Sequence, residues 1–264
     1  MDVIDTKVAP DGAVGHQDGR PADISEAEWA ARVNVAAAYR LVALFGWDDL
    51  IFTHISARVP GPDHHFLINR FDRLFEEITA SSLVKIDLNG DPIDQPDAPV
   101  NKAGFVIHSA LHSACEEAHC VIHLHTNDGQ AVSSQADGLL PINQTAMAIY
   151  QDVAYHDFEG IATELEERDR LVDDLGDKGA MILRNHGTLT IGATMAEAFL
   201  RMYFLERACT AQVRALTAPL NPAPQGTPEK TAGQARVGFD LGLPHLAWAA
   251  LLRKLDRTDP SYRT

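Results

Sequence analysis

The chain has 264 residues, with 22 Lys and Arg against 37 Asp and Glu, a net charge of −15. So acidic a surface repels phosphate backbones and anionic headgroups, which sets aside nucleic-acid and membrane-surface binding as general functions. The length suits one large domain or two small ones, able to bury roughly three quarters of the unfolded surface without disulfides. No stretch approaches the ~20 apolar residues of a membrane span, and the N-terminus shows no signal-peptide core, so the expected compartment is the cytoplasm. The three cysteines, Cys115, Cys120 and Cys209, match no structural zinc spacing and read as reduced, buried thiols.

Residues 1–21 are rich in Asp, Gly and Pro and read as a flexible arm before a domain at 22–219. "DISEAEWAARVNVAAAYRLVALFG" reads as a helix, with Ser25 and Glu28 forming a capping box and Gly46 ending it. "LIFTHISARVP" and "HHFLIN" are strands joined by a Pro-Gly-Pro turn, a β-hairpin. "SLVKIDLNGDPI" is a further strand, with Val84, Ile86 and Leu88 on one face. After a Pro/Asp loop, "NKAGFVIHSALHSACEEA" is a helix capped by Asn101, and "HCVIHLHT" a strand.

"DGQAVSSQA" reads as a short helix, "VAYHDF" as a strand and "TELEERDRLVDDLG" as an acidic helix ended by Gly176. "GAMILRNHGTLTIG" is two strands around a turn at Asn185-His186-Gly187. "TMAEAFLRMYFLERACTAQVRALTA" is a long helix with Thr194 as its cap. Residues 220–264 read as a Pro-rich linker, 220–233, and a C-terminal extension with one apolar helix, "LPHLAWAALLRKL". Strands that alternate with helices, yet join one another through hairpins, predict a mixed sheet with helices on both faces.

Five of the 12 histidines fall between Asn101 and Thr126. In a strand, residues i and i+2 share a face, so His123 and His125 point together, and two imidazoles so spaced reach one divalent ion at about 2.0–2.1 Å. His186, in a turn between strands, is the best candidate for a third ligand. Zinc suits three imidazoles and an open position; Fe²⁺, Mn²⁺ and Co²⁺ also accept imidazole. His108 and His112 share a helix face, but no Glu at 109 completes a metalloprotease motif. They read as one ring packed on the sheet and one half exposed. His64 and His65 lie by a turn and read as solvated.

In this order the pieces resemble the class II aldolase/adducin family over about Ile24 to Ala218. "LIFTHISARV" resembles the family's Gly-Asn-Ile-Ser strand, "CVIHLHT" its His-x-His strand and "LRNHGTLTIG" its third-histidine hairpin. "FEEITASSLVKIDLNGD", "NKAGFVIHSALH", "LLPI" and "VAYHDFEG" are closest to the adducin branch and its bacterial relatives. L-fuculose-phosphate aldolase and L-ribulose-phosphate 4-epimerase are more distant relations. The resemblance implies a three-layer α/β/α fold with a central mixed, largely antiparallel sheet. It also implies a divalent metal, zinc first, on His123, His125 and His186, and a homotetramer with sites at subunit interfaces. The metal would act as a Lewis acid on oxygens of a small-molecule substrate.

The chain also departs from the family. Where the sugar-phosphate aldolases have two phosphate-binding serines and a catalytic glutamate, this chain has Lys102, Ala103 and Gly104. The family's mobile tyrosine falls on Thr145, leaving Tyr150, Tyr155 and His156 in that region. A general base is worth roughly 10²–10⁴ in rate, so its loss argues against ordinary sugar-phosphate cleavage. The expected function is a metal-dependent carbon–carbon lyase, decarboxylase or aldolase in type, for a small hydroxy-carbonyl or carboxylate substrate. Lys102 at a helix N-terminus would hold an anion, the backbone at Gly104 would open toward substrate with room for a bulky ligand, and Tyr155, of this chain or of a neighbouring subunit, would donate a proton. One alternative is an aldolase or epimerase with a replacement base, drawn from Glu77, His108, Tyr155 and His156. The other is a non-enzymatic binding module like the adducin head.

Overall fold

The computed structural model describes residues 19–160 and 167–264, with the backbone alone at 102, 103, 105 and 106. The strands are β1 (His54–Arg58), β2 (Phe66–Ile68), β3 (Val84–Ile86), β4 (Cys120–Leu124), β5 (Val153–His156), β6 (Ala180–Leu183) and β7 (Gly187–Gly192). They form one sheet in the order β3-β2-β1-β4-β7-β6-β5. Every neighbouring pair is antiparallel except β5 with β6.

Helices cover both faces. On one lie α1 (Glu26–Phe45), α6 (Met195–Ala215) and α8 (Leu243–Thr258), with α3 (Asn127–Ser133) and α4 (Gln144–Ile149) toward the β5 edge. Ile55, Ala57, Ile122 and Leu124 face this layer and pack with Tyr39, Leu41, Phe199 and Trp248. The other face carries α2 (Lys102–Ala114) and α5 (Glu167–Leu175), where Val121, Met181 and Leu189 meet Ile107, Leu111 and Leu171. This is the three-layer α/β/α arrangement, mixed and largely antiparallel, that the sequence predicts. Period-2 alternation places neighbours on one strand in different layers.

Local chemistry explains the element ends. Ser25 Oγ accepts from Glu28 N–H at 3.1 Å, and Gly46 closes α1 at φ 66°. Only half of the expected capping box forms. The Glu28 carboxylate turns inward to the fully buried Arg32 and to Lys85, because an unpaired buried guanidinium would cost far more than an uncapped N–H. Leu88 lies beyond β3 and is exposed, since the Asn89-Gly90 turn has already begun.

The C-terminal segment differs most from expectation. Helix α7 (Thr227–Asp240) begins inside the stretch read as linker, with Pro228 in its first turn where the missing N–H has no cost. Trp248, Leu252, Leu255 and Tyr262 join the core of α1 and α6, and Trp248 Nε1 donates to Asn34 Oδ1 at 2.9 Å. The segment after residue 219 is thus knit to the same core. Residues 1–18 of the expected arm, and 161–166, which include the first four residues of the expected acidic helix, lie outside the described residues. No helix among the described residues is long and apolar enough to cross a membrane.

Candidate metal centre

His123 stands next to the end of β4 and His125 just beyond it. Their side chains leave the α2 face of the sheet, while Ile122 and Leu124 enter the opposite core. The β4–β7 pairing brings the turn at 184–186 beside them. Asn185 takes φ 55°, a left-handed conformation that asparagine tolerates, and its N–H donates to Ser133 O at 3.1 Å. Gly187 is needed next: a Cβ there would stand 2.4 Å from the Leu124 carbonyl oxygen. A side chain at 187 would push the His186 turn away from β4. As built, one ligand atom from each of His123, His125 and His186 lies within 4.8 Å of the others.

The hydrogen bonds decide which nitrogens are bare. His123 Nδ1–H donates to the Thr188 carbonyl at 3.0 Å, and His125 Nδ1–H to Asp49 Oδ2 at 3.2 Å. Both Nε2 atoms then carry lone pairs, and they stand 2.9 Å apart. Burial drives the His123 ring well below its ordinary pKa and lowers that of His125 as well, so no extra proton resides between their facing nitrogens near neutrality. Two facing lone pairs repel unless a cation shares them. The donor set therefore fits a divalent ion, with His123, His125 and His186 as ligands and Thr188 O and Asp49 orienting two of them. Thr188 is held from behind, where its hydroxyl donates to the buried Glu206 at 2.6 Å.

The sequence profile described as "Class II Aldolase and Adducin N-terminal domain" matches residues 33–213. The chain belongs to the class II aldolase and adducin family. A Caulobacter vibrioides protein described as "Putative aldolase class 2 protein" is 56% identical over 90% of this chain and 94% of its own. Mouse alpha-adducin is 46% identical over 72% of this chain, which spans only 26% of adducin's length. The crystal structure of an aldolase II superfamily protein from Pseudomonas syringae is 50% identical, with a TM-score of 0.88 over 92% of this chain and 98% of its own.

Within this aldolase/adducin site the predicted residues fare unequally. His123, His125 and His186 come together. The Lys102 side chain lies outside the described residues. Gly104 N–H is directed to the Asn101 cap at 3.4 Å, and the space above Gly104 is not open: a Cβ there would stand 2.6 Å from the His54 ring. The expected room for a bulky ligand is filled by that ring. Tyr155 pairs with Ile182 on the sheet face opposite the histidines, where its hydroxyl accepts from Leu139 N–H at 3.0 Å. Glu77 accepts from Leu74 N–H at 2.8 Å and lies 3.9 Å from Arg73, an exposed turn-closing contact. Neither is brought to the histidine group within this chain.

His156 does reach that face, one residue along from Tyr155. It flanks His186 and is bonded to Asp174 at 2.7 Å. His108 and His112 are both buried, which corrects the half-exposed reading. They hydrogen-bond through Ser56 rather than joining the ligand group. Asp49 and His54 escaped sequence reading. Asp49 sits 76 residues from His125, and nothing local links them. For His54 a signal existed: "THIS" puts histidine where the family strand has asparagine.

Proposed function

We propose that this chain is a metal-dependent carbon–carbon lyase of the carboxy-lyase or aldehyde-lyase type, acting on a small hydroxy-carbonyl or carboxylate substrate. The observation that carries this is the convergence of His123 Nε2, His125 Nε2 and the His186 ring, with the far nitrogens of the first two engaged by Thr188 O and Asp49. A divalent cation held there would supply a Lewis acid for the substrate's oxygens. We take zinc as the first candidate, with Fe²⁺, Mn²⁺ or Co²⁺ also suited to imidazole, and a cytoplasmic homotetramer as the working form.

Gly104 supports decarboxylation over sugar-phosphate cleavage, because it moves no proton. When a carbon–carboxylate bond breaks, its electron pair passes into an adjacent carbonyl, so no base is needed to begin. A proton returns to carbon afterwards. Glu77 and Tyr155 are held elsewhere within the chain, which weakens them as replacement bases. The similarity to alpha-adducin favours a second reading, a protein-binding module without catalysis.

Elemental analysis of the purified protein separates the two. About one transition metal per chain, lost in His123→Ala and in His186→Ala, is the expected result. Release of CO₂ or aldehyde from a panel of hydroxy acids and hydroxy-carbonyl compounds should follow. A protein that takes up no zinc, iron, manganese or cobalt would overturn the lyase reading in favour of the binding module.

A further inference from the structure

A line of buried polar groups runs from the histidine group into the layer between α2 and the sheet. His54 on β1 lies opposite His123 on β4, so the two side chains share a face, with ring centroids 5.1 Å apart. His54 Nδ1 is 2.8 Å from His108 Nε2, and His108 Nδ1 is 2.5 Å from Ser56 Oγ. Ser56 Oγ is 2.7 Å from His112 Nε2, and His112 Nδ1 is 2.6 Å from the Ala118 carbonyl oxygen. All four side chains are buried.

The far end fixes the direction of the line. A carbonyl only accepts, so His112 carries its hydrogen on Nδ1 and leaves Nε2 bare. Ser56 must then donate to His112 and accept from His108 Nδ1–H. His108 Nε2 is therefore the acceptor for His54 Nδ1–H. This assignment requires neutral rings. All four side chains are buried with no acid among their hydrogen-bond partners in the line, and burial drives His112, at its fixed end, down to about 3. What remains is the lone pair on His54 Nε2. That atom lies over Gly104, 2.9 Å from where a Cβ would be, one helical turn before His108 and toward the metal-centre end of the sheet. Among the described residues no donor lies within hydrogen-bond distance of it.

We propose that His54 is the substrate-facing hydrogen-bond acceptor of this site, with His108, Ser56 and His112 as positioning residues that set its tautomer from the Ala118 carbonyl. The inference rests on the reading of His123, His125 and His186 as a metal centre. Its ligand class is a small α-hydroxy acid: the carboxylate and hydroxyl oxygens face the cation, and the hydroxyl hydrogen goes to His54 Nε2. Glycine at 104 is then a requirement of the arrangement, because any Cβ would displace the acceptor ring.

The deciding measurement is nitrogen-15 NMR of histidine-labelled protein, metal-free and zinc-loaded, which distinguishes the two neutral tautomers of each ring. The wild type should show the hydrogen on Nδ1 at His54, His108 and His112. Ser56→Ala cuts the line and should return His54 to a tautomer mixture. A hydrogen on His54 Nε2 in the wild type would overturn the proposal.

Binding supplies the second arm. Cobalt-loaded protein is titrated with glycolate and with acetate, read by the cobalt absorption bands. Chelation alone favours glycolate, so the quantity compared is that preference across variants. It should fall about tenfold in His54→Phe, the equivalent of one hydrogen bond, and less in Ser56→Ala. An unchanged preference in both overturns the proposal, as does loss of cobalt from His54→Phe, which would make His54 a ligand. A wild type that binds no metal counts against the metal-centre reading alone, because the tautomers are also read on metal-free protein.

Discussion

Strands β1 and β4 show two unlike surfaces on their two faces. Toward α1 and α6 they present Ile55, Ala57, Ile122 and Leu124, closed into an apolar core with Tyr39 and Phe199. Toward α2 they present His54, Ser56 and His123, equally buried but polar, each tied to another polar group. Burial is the same on both faces; what it does is different. On the first it stabilises through apolar area removed from water. On the second it removes protons from imidazoles and strengthens every hydrogen bond in the line, the state that the proposed cation and substrate would require.

The largest expected effect strikes the polar face alone. Rings whose pKa is lowered on folding stabilise the protein fully above the unfolded value of about 6.5, and that contribution is lost as pH falls. His112, held down to about 3, and His186, held down to about 4, should each cost about 1.4 kcal/mol per pH unit below 6.5. Urea unfolding of metal-free protein from pH 7 to pH 4 should show stability falling steeply. A flat profile would mean that the rings are not buried neutral.

Phe199→Ala attacks the other face and should cost about 3–5 kcal/mol with metal content unchanged. Loss of metal at ambient temperature in folded variant would show that the two faces are coupled. Asp49→Ala should do the reverse. Stability in the metal-free state should barely change, while metal affinity falls about 10–100-fold, measured by competition with a chelator.

Tyr155→Phe leaves the Leu139 N–H without its acceptor and should cost about 1–3 kcal/mol, again without loss of metal. Glu77→Ala should be smallest, below about 1 kcal/mol, with metal content and any lyase activity intact. A large activity loss in either of the last two would return that residue to the candidate catalytic set.

The candidate ligand histidines are legible because two carry a local signature. The i, i+2 spacing of His123 and His125 needs only strand geometry to place both on one face, and a histidine in a two-strand turn has few places to point. Tyr155 shows the limit of the same rule. One residue decides the face: His156 reaches the histidine group and Tyr155 the opposite layer. "VAYHDF" shows where the strand starts but not which of its faces meets the histidines. Gly104 lacks a proton-moving group, as its letter says, but the space above it is filled. A glycine tells what its own side chain lacks, whereas the His54 ring that fills the gap arrives from a strand 50 residues earlier.

By itself the sequence determined the element types and two of three candidate ligands, because periodicity, caps and short-range spacing are encoded within a few neighbouring residues, and the ordered motifs from Ile24 to Ala218 carried the family resemblance and, with it, His186. Only the tertiary structure decided that Asp49 backs His125, that His54 stands over Gly104, and that His108, Ser56 and His112 form one directed line ending on Ala118. Those contacts join groups far apart in the chain, and their meaning depends on burial, which sets charge and tautomer and which no single residue carries in its own letter.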